Sequence, residues 1–355
     1  MKTYIADLMY GRKRSLILGP ILAALSLVYR SAWHLRKAWY RLPWPGTKKL
    51  PCTVISVGNI TLGGTGKTPT VIAIAGLLLR KGKRPVVVSR GYGRQDESRI
   101  SFVSDGQIVQ HDPVTNGDEP VLIACRLAGV PVVVGADRYA ASLAGLRQFH
   151  ADVVVLDDGF QHIRLQRTLD LVLVDAAEPF GSGKLFPAGI LREPLSALKR
   201  AHAVLITRAD RCHDLSSLKE TLRKYTTAPI FTASHVPLDL VNIATNETRP
   251  LSSLSRTPVF AFSGIARPAS FLCLLESLGA VVKSSSAYPD HHAYDKNDLA
   301  DIFQRAADEQ VDMIVTTEKD GVRLHSLRPE GIWALRIDLA VVESEAWERL
   351  FLEVL

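Results

Sequence analysis

Residues 53–69 read TVISVGNITLGGTGKTP, and the architecture expected of the whole chain follows from them. An apolar run, Thr53–Val57, leads into a glycine-rich turn, and a helix-compatible stretch, Val71–Arg80, follows the turn. This order of strand, loop and helix is the context that a phosphate-binding loop requires. The sequence therefore predicts an α/β fold in which the turn between strand and helix binds a nucleotide.

The residue types in this turn suit contact with nucleotide phosphates. Its glycines let backbone N–H groups approach an anion without interference from Cβ atoms, and the helix that follows presents its positive dipole end. Lys67 is expected to reach the β- and γ-phosphates, and the Thr68 hydroxyl to bind Mg²⁺. The residues expected to bind the nucleotide are Thr61, Leu62, Gly63, Gly64, Thr65, Gly66, Lys67 and Thr68.

One position departs from the common phosphate-loop pattern G-x-x-x-x-G-K-[ST], because Thr61 stands where the pattern has its first glycine. The alternative is an ordinary glycine turn that happens to precede Lys67 and Thr68. The strand-like run before the turn and the helix-like stretch after it favour the phosphate loop.

The positive charge of the chain is concentrated at its N-terminus. The 355 residues carry a formal net charge of +7, yet residues 1–49 hold ten Lys and Arg against one acid, Asp7, so the remainder sums to −2. A nucleic-acid-binding face would spread Lys and Arg over the folded domains, so no nucleic-acid partner is expected.

The four cysteines form no C-x-x-C pair and predict neither a zinc site nor a disulfide framework. No obligate protein partner is predicted.

Residues 1–49 are expected to form a helical segment associated with the membrane surface. Residues 16–29 are apolar apart from Ser26, but they fall short of the roughly 20 residues that a membrane-spanning helix needs. No Ala-x-Ala-like cleavage site follows, and the aromatic and basic residues that do follow suit an interfacial helix. An ordinary buried helix is the alternative. Residues 43–46, PWPG, break the helix and mark a boundary before the first strand.

Beyond this segment, short apolar runs rich in β-branched residues alternate with helix-length amphipathic stretches. Continuous apolar runs separated by helices indicate a parallel sheet that is covered on both faces. Residues 50–228 are therefore expected to form a P-loop NTPase-like core. Its predicted strands are Thr53–Val57, Val86–Ser89, Val132–Val134, Val153–Leu156, Leu171–Val174 and Ala203–Ile206.

Ligands bind at the carboxyl ends of the strands in such sheets, and charged residues follow each of the six runs. Asp157 and Asp158 are the strongest candidates, because a carboxylate that ends a buried strand is where phosphate-loop enzymes hold Mg²⁺. Two adjacent acids repel each other unless a cation lies beside them. The alternative is that Asp158 only starts a turn before Gly159. A Gly- and Pro-rich loop over residues 181–194 adds three charged residues suited to phosphate or metal contacts: Lys184, Arg192 and Glu193.

A chain of this length predicts two domains. Residues 229–255 are expected to be a strand-like linker, and residues 256–355 a smaller α/β domain. That second domain contains Asp290-His291-His292, where no third cluster supports a metal site and a histidine suited to proton transfer is the better interpretation. A purely structural role stays open for His291, and likewise for Asp118, which stands where a helix N-cap is expected.

Taken together, the motifs resemble those of the tetraacyldisaccharide 4′-kinases, the lipid A 4′-kinases of Gram-negative bacteria. They follow the family's order from the N-terminal helix almost to the C-terminus, and the family's loop also lacks the first glycine. The phosphate loop combined with DDGFQH is far more specific than either motif alone. The matching segments are SVGN (56–59), TLGGTGKTP (61–69), SRGYGR (89–94), GDEP (117–120), DDGFQH (157–162), PAG (187–189), LREP (191–194), TRAD (207–210), DHH (290–292) and TEKD (317–320).

The resemblance implies transfer of the γ-phosphoryl group of ATP, with Mg²⁺, to the 4′-hydroxyl of a tetraacyl glucosamine disaccharide 1-phosphate. This would take place at the cytoplasmic face of the bacterial inner membrane. It further implies that Asp118 is paired with His291 and activates the acceptor hydroxyl; His291 is taken rather than His292 because it directly follows the aspartate. Other roles implied by the family are ATP and Mg²⁺ contacts for Lys67 and Thr68, phosphate contact for Arg192, and the metal shell for Asp157, Asp158, Gln161 and Glu193.

Two other classes of function stay open at this point. A nucleotide-dependent switch or transport ATPase, dimerising around the phosphate loop, would need no acceptor site. A membrane-bound scaffold without catalysis would not need Lys67, Thr68 and Asp157. The Asp118–His291 pair and an N-terminus directed at a lipid substrate are the features that favour the kinase.

Overall fold

The structure is a computed structural model that describes residues 2–40, 46–92 and 94–355. Two expectations from the sequence lie partly outside the described residues. One is the break at Pro43, Trp44 and Pro45, and the other is Gly93 of the SRGYGR motif.

Thirteen strands within the described residues form one continuous sheet. All six predicted runs are strands of this sheet, and they pair in parallel with one another, so the predicted α/β fold is confirmed. The strands are β1 (Thr53–Asn59), β2 (Pro85–Ser89), β3 (Ser101–Ser104), β4 (Val132–Val134), β5 (Val153–Asp157), β6 (Leu169–Asp175), β7 (Ala203–Thr207), β8 (Ile230–Asn242), β9 (Thr248–Arg249), β10 (Pro258–Ser263), β11 (Val281–Ala287), β12 (Met313–Thr317) and β13 (Ile332–Val341).

The strand order is β11-β10-β12-β13-β8-β7-β6-β1-β5-β2-β4-β3, with β9 beside β8. The bounds of the helices are α1 (Lys2–Met9), α2 (Leu18–Trp39), α3 (Lys67–Arg80), α4 (Pro113–Asn116), α5 (Asp118–Arg126), α6 (Arg138–Phe149), α7 (Leu215–Arg223), α8 (Pro268–Ser277), α9 (Lys296–Asp308), α10 (Glu318–Leu324) and α11 (Ser344–Leu352). Among the described residues, helices α1 and α2 precede the first strand in the chain, and the other helices lie between the strands or after them.

The central strands are apolar at successive positions because both of their faces are covered. Successive side chains of a strand point to opposite faces. Ile55 and Val57 of β1 accordingly belong to the same buried cluster as Val71 and Ile74 of α3. Val54, one residue away, belongs to a different cluster on the other face. This double burial fixes β1, and therefore the turn that follows it, at the centre of the sheet.

Strand β8 joins the two halves of the molecule. Its first residues pair in parallel with β7, and the remainder pairs antiparallel with β13. The segment expected to be a strand-like linker, residues 229–255, thus contributes a strand of 13 residues to the middle of the sheet. The division of the chain into domains stays a prediction.

Helix α2 is longer than the apolar run from which it was predicted, and none of its residues is buried. This speaks against the alternative of an ordinary buried helix. The helix touches the body through both polar and apolar contacts. The Ser26 hydroxyl donates to the Leu185 carbonyl at 2.8 Å, and the Tyr29 hydroxyl donates to the Arg192 carbonyl at 2.8 Å. Trp33 packs against a buried apolar cluster of the body. Among the described residues, no helix combines the length and apolarity needed to cross a bilayer.

Candidate active site

The phosphate loop is held by the strands on either side of it. The Asn59 side chain donates to the Thr65 hydroxyl at 2.9 Å, and the Thr207 hydroxyl donates to the Thr65 carbonyl at 2.9 Å. From the end of β7, Arg208 donates to the Gly64 carbonyl at 2.9 Å. The loop is therefore shaped before any ligand binds, which lowers the entropic cost of binding.

Gly66 is required at the start of α3 for two reasons. Its φ of +86° is strained for residues with a side chain, and a Cβ there would lie 2.7 Å from Nε2 of His235. As the N-cap, Gly66 also leaves the first N–H groups of the helix without a side-chain acceptor. These N–H groups and the helix dipole can therefore bind an anion.

The Gly- and Pro-rich loop pairs with the phosphate loop. Thr61 forms an antiparallel bridge with Leu191, and the N–H of Leu62 donates to the Ile190 carbonyl at 2.7 Å. The next N–H, of Arg192, donates to the Ile60 carbonyl at 2.7 Å. This pairing positions Arg192 beside the nucleotide loop.

Asp157, the last residue of β5, has one carboxylate oxygen without a protein partner. Its Oδ2 accepts a hydrogen bond from the Ser89 hydroxyl at 2.8 Å, while the buried Oδ1 has no partner within the described part of the chain. Burial, reinforced by the charges of Glu119 and Asp158, raises the pKa of Asp157 to about 6. An unpartnered buried carboxylate is costly, and a cation at Oδ1 would relieve that cost.

Asp158 lies in a left-handed conformation, with φ of +52°, that turns its side chain toward two cations. Arg192 donates to its two oxygens at 3.2 and 2.9 Å, and Nζ of Lys67 lies 3.6 Å away. Burial alone would raise the pKa of Asp158, but Lys67 and Arg192 outweigh it and hold that pKa below its usual value. Asp158 is thus an ionised partner of both Lys67 and Arg192.

Glu193 and Gln161 contact each other, but they differ in what they can offer a metal. Arg200 donates to both oxygens of Glu193, at 2.7 and 3.2 Å, and Gln161 Nε2 donates to one of them at 3.1 Å. Gln161 Oε1, by contrast, is buried and has no partner among the described residues. Glu193 and the Asn59 carbonyl, which accepts from Nε2 at 2.7 Å, together orient Gln161 and leave its amide oxygen without a partner.

These donors fit Mg²⁺ when a nucleotide is present. Within residues 2–40, 46–92 and 94–355, no three His, Cys, Asp or Glu side chains converge closely enough to hold a metal ion. Mg²⁺ is usually bound by one or two carboxylates together with substrate phosphates and waters. Oδ1 of Asp157 and the Thr68 hydroxyl, at the carboxyl end of β5 and the start of α3, match that requirement.

Asp118 is the first residue of α5, and it does not act as the N-cap, a position that Gly117 occupies. Its Oδ2 lies 2.8 Å from Nδ1 of His291, and the Arg323 guanidinium donates to the same oxygen at 3.1 and 2.5 Å. Burial alone would raise the pKa of Asp118, but His291 and Arg323 hold it far below its usual value. The carboxylate stays ionised and is a weak base.

The pairing with Asp118 determines which nitrogen of His291 can accept a proton. An ionised carboxylate only accepts hydrogen bonds, so the proton of the neutral imidazole lies on Nδ1 and leaves Nε2 as the acceptor. The hydrogen bond to Asp118 raises the pKa of His291. His292 points elsewhere: its Nε2 lies 2.9 Å from Asp298, and its ring stacks on Tyr288.

Three ion pairs join helix α5 to helix α10, and each has one partner from each half of the chain. They are Asp118–Arg323, Glu119–Lys319 at 2.6 Å, and Arg126–Glu318 at 3.0 Å. Arg323 was missed from the sequence because it lies just beyond the TEKD motif. The sequence does contain one indication of its role: Arg323 lies four residues after Lys319, which places both residues on one face of a helix.

We expect the Asp118–His291 pair to make stability depend on pH. Because the pKa of His291 is raised from 6.5, the ion pair is fully present below about pH 6.5 and is lost as the pH rises through the raised value. His291→Gln should therefore lower the thermal denaturation midpoint more at pH 5.5 than at pH 8.5.

Repeating that comparison in an Asp118→Asn background provides the control. There the effect of His291→Gln should no longer depend on pH. An equal loss of stability at both pH values in the otherwise wild-type chain would contradict the assignment.

Comparison with known proteins gives one consistent result. The family model described as LpxK, tetraacyldisaccharide-1-P 4′-kinase, matches residues 18–355. The tetraacyldisaccharide 4′-kinase of Syntrophus aciditrophicus is 41% identical over 348 residues, which cover 94% of this chain and 92% of that protein. The enzyme of the same description from Pelobacter propionicus is 40% identical over 349 residues, covering 97% and 95%.

A solved structure agrees with these relatives. The crystal structure of LpxK from Aquifex aeolicus in complex with ATP superposes with a TM-score of 0.78 at 31% identity. The superposition covers 95% of this chain and 99% of that one.

Proposed function

Because the chain belongs to the tetraacyldisaccharide 4′-kinase family, it is an ATP- and Mg²⁺-dependent kinase of lipid A biosynthesis, and we propose that Asp118 and His291 activate the hydroxyl that it phosphorylates. The reaction transfers the γ-phosphoryl group of ATP to the 4′-hydroxyl of a tetraacyl glucosamine disaccharide 1-phosphate. The observation that carries the assignment of roles is the 2.8 Å contact between Asp118 and His291, which come from opposite halves of the chain.

In the proposed mechanism His291 is the proton acceptor and Asp118 orients it. Nε2 of His291 takes the proton of the 4′-hydroxyl, the sugar oxygen forms its bond to the γ-phosphorus, and the bond from that phosphorus to the β–γ bridging oxygen breaks to release ADP. Asp118 holds the proton on Nδ1 and stabilises the imidazolium that forms. A general base of this kind is expected to increase the rate of the chemical step about 10²–10⁴-fold.

The remaining roles concern charge and placement, which dominate phosphoryl transfer. Lys67 and the N–H groups of residues 61–68 are proposed to hold the triphosphate. Arg192, now paired with Asp158, would share its charge with the phosphates. Asp157 and Thr68 would hold Mg²⁺, which would supply positive charge to neutralise the charge that builds up on the phosphates.

The test is acceptor-dependent transfer by the purified full chain. With Mg·ATP and a tetraacylated disaccharide 1-phosphate, we expect a product that carries a phosphate at the 4′-position. The alternative of a switch or transport ATPase would give phosphate release that is independent of the acceptor. That outcome would overturn the proposed roles of Asp118 and His291.

We further propose that the N-terminal helices lie on the cytoplasmic face of the inner membrane, where the acylated substrate resides. Ile21, Leu25 and Val28 share one face of α2 by their spacing and are each at least half exposed. Arg30 and Arg36 follow them in the same helix and could contact anionic headgroups, at about 1 kcal/mol per residue near the surface.

Changing Ile21, Leu25 and Val28 together to Asp should reduce co-sedimentation with vesicles that contain anionic lipid by at least about tenfold, since each large apolar side chain buried in lipid contributes about 1.5–3 kcal/mol. Val342→Asp, which alters an apolar side chain of similar exposure in the other half of the chain, is the matched control. Equal sedimentation of the two variants would remove the membrane assignment.

A further inference from the structure

Residues 4–15, here called the N-terminal arm, have a defined structure and precede the region matched by the family model, residues 18–355. After α1 the chain turns back on itself: the Asp7 carbonyl accepts hydrogen bonds from the N–H groups of Arg12 and Lys13, at 2.8 and 3.3 Å. The Lys13 ammonium lies 2.9 Å from the Asp7 carboxylate, and Gly11 takes a φ of +78°. The arm therefore has a defined shape.

This arm is closely packed on the loop that pairs with the phosphate loop. The N–H of Ser182 donates to the Met9 carbonyl at 3.4 Å. A Cβ on Gly11 would lie 3.3 Å from Cβ of Ser182, and a Cβ on Gly181 would lie 3.4 Å from the Met9 carbonyl oxygen. Small residues on both sides thus permit a close approach between the two backbones.

Tyr10, at the tip of the arm, faces the phosphate loop itself. Its hydroxyl oxygen would lie 3.4 Å from a Cβ on Gly63, a residue with φ of +98°. No described residue accepts a hydrogen bond from this hydroxyl. The Arg12 guanidinium covers the ring, 4.9 Å from its centroid, and limits its movement. The Tyr10 ring is thus held against the turn that is expected to bind phosphates, and its hydroxyl is available to donate a hydrogen bond to a ligand.

Arg12 connects the arm to the same loop by a second route. It pairs with Glu178, which also accepts from Arg267 at 2.9 Å. Arg267 lies 3.3 Å from Asp175, and Asp175 pairs with Arg208. Arg208 donates to the Gly64 carbonyl. The series of contacts thus runs from the arm, through Arg267 at the N-cap of α8, to Gly64, the neighbour of Gly63.

We propose that Tyr10, at the tip of the N-terminal arm, forms part of one wall of the nucleotide site, and that its hydroxyl donates a hydrogen bond to the triphosphate bound on residues 61–68. This inference rests on the proposed nucleotide site and adds a residue to it. The arm continues through the exposed Leu16 and Ile17 into α2. One segment therefore connects the surface expected to meet lipid with the loop that binds ATP.

The test is the binding of a non-hydrolysable ATP analogue with Mg²⁺, measured by titration calorimetry on the full chain. Tyr10→Phe removes only the hydroxyl and should weaken binding about tenfold, as expected for one hydrogen bond to a charged group. Tyr4→Phe is the matched control: it removes the same group from the same arm, where the ring lies under Lys13.

Three outcomes are distinguishable. Weaker binding by Tyr10→Phe, with Tyr4→Phe unchanged and all thermal denaturation midpoints equal, supports the inference. Equal binding by all three proteins overturns it and leaves the kinase assignment intact. If the wild-type chain itself fails to bind the analogue, the proposed nucleotide site is wrong and the inference about Tyr10 falls with it.

Discussion

Replacing Asp118 with alanine should lower turnover by at least about a hundredfold, the low end of what is expected when general-base catalysis, here by His291, is lost. Without the carboxylate, neither the tautomer of His291 nor its orientation is fixed. ATP binding should be unchanged, because the side-chain contacts of Asp118 are to His291, Arg323 and the N–H of Glu119, outside residues 61–68. Steady-state transfer to the lipid acceptor and separate titration of ATP measure the two effects.

Stability must be followed in the same experiment, because Arg323 is buried and loses a charged partner. Asp118→Asn retains a carbonyl oxygen that can accept a hydrogen bond from Arg323. It should therefore be more stable than Asp118→Ala, while its turnover is equally low. Asp214→Ala is a control for a capping role, since Asp214 caps α7 by accepting from the N–H of Ser217. It should cost about 1 kcal/mol of stability and leave turnover unchanged. Wild-type turnover in Asp118→Asn would reduce Asp118 to a structural residue.

The second large effect is expected from Asp157→Asn, which should lower turnover by a hundredfold or more and raise the Mg²⁺ concentration needed for half-maximal rate. A hundredfold loss corresponds to about 2.7 kcal/mol, within the several kcal/mol that a metal supplies to a transferring phosphoryl group. Oδ1 of Asp157 is the carboxylate oxygen without a protein partner, so the change removes a charged metal ligand and little else.

Ser89→Ala separates this role from simple packing. The Ser89 hydroxyl donates to Oδ2, the other oxygen, so its loss should alter turnover far less and leave the Mg²⁺ dependence unchanged. A raised pKa of about 6 also predicts that an excess of Mg²⁺ and nucleotide stabilises the protein more above that pH than below it. An Mg²⁺ dependence that is identical in Asp157→Asn and the wild type would contradict the assignment.

The parallel centre of the sheet was predictable because its strands are buried on both faces. Each of β1, β5, β6 and β7 is buried over all or nearly all of its length, and the runs of apolar residues within them indicate a doubly covered sheet. The sequence predicts a strand-like linker over residues 229–255 because polar residues such as Ser234, His235 and Asp239 are scattered among apolar ones, and β8, which lies there, is only partly buried after Ala233. Its pairing with β13 is set by residues about a hundred positions away, which local patterns do not encode.

The site was predictable wherever a backbone motif carries it. The phosphate loop and Asp157 follow from a strand, a turn and a strand end. The pairing of Asp118 with His291 entered only through the family resemblance, because 173 residues separate them. Arg323 and Tyr10 belong to no motif, and only the fold brings them to Asp118 and Gly63. The choice of His291 over His292 likewise depends on a loop conformation, since φ of His291 is +61°.

A crystal structure of the full chain with Mg²⁺ and a non-hydrolysable ATP analogue tests the central claim most directly. We predict the triphosphate on the N–H groups of residues 61–68, the metal next to Oδ1 of Asp157, and Asp118 still paired with His291 on the side of the γ-phosphate. A triphosphate bound away from that loop, or an Asp118–His291 pair remote from its γ-phosphate, would contradict the account.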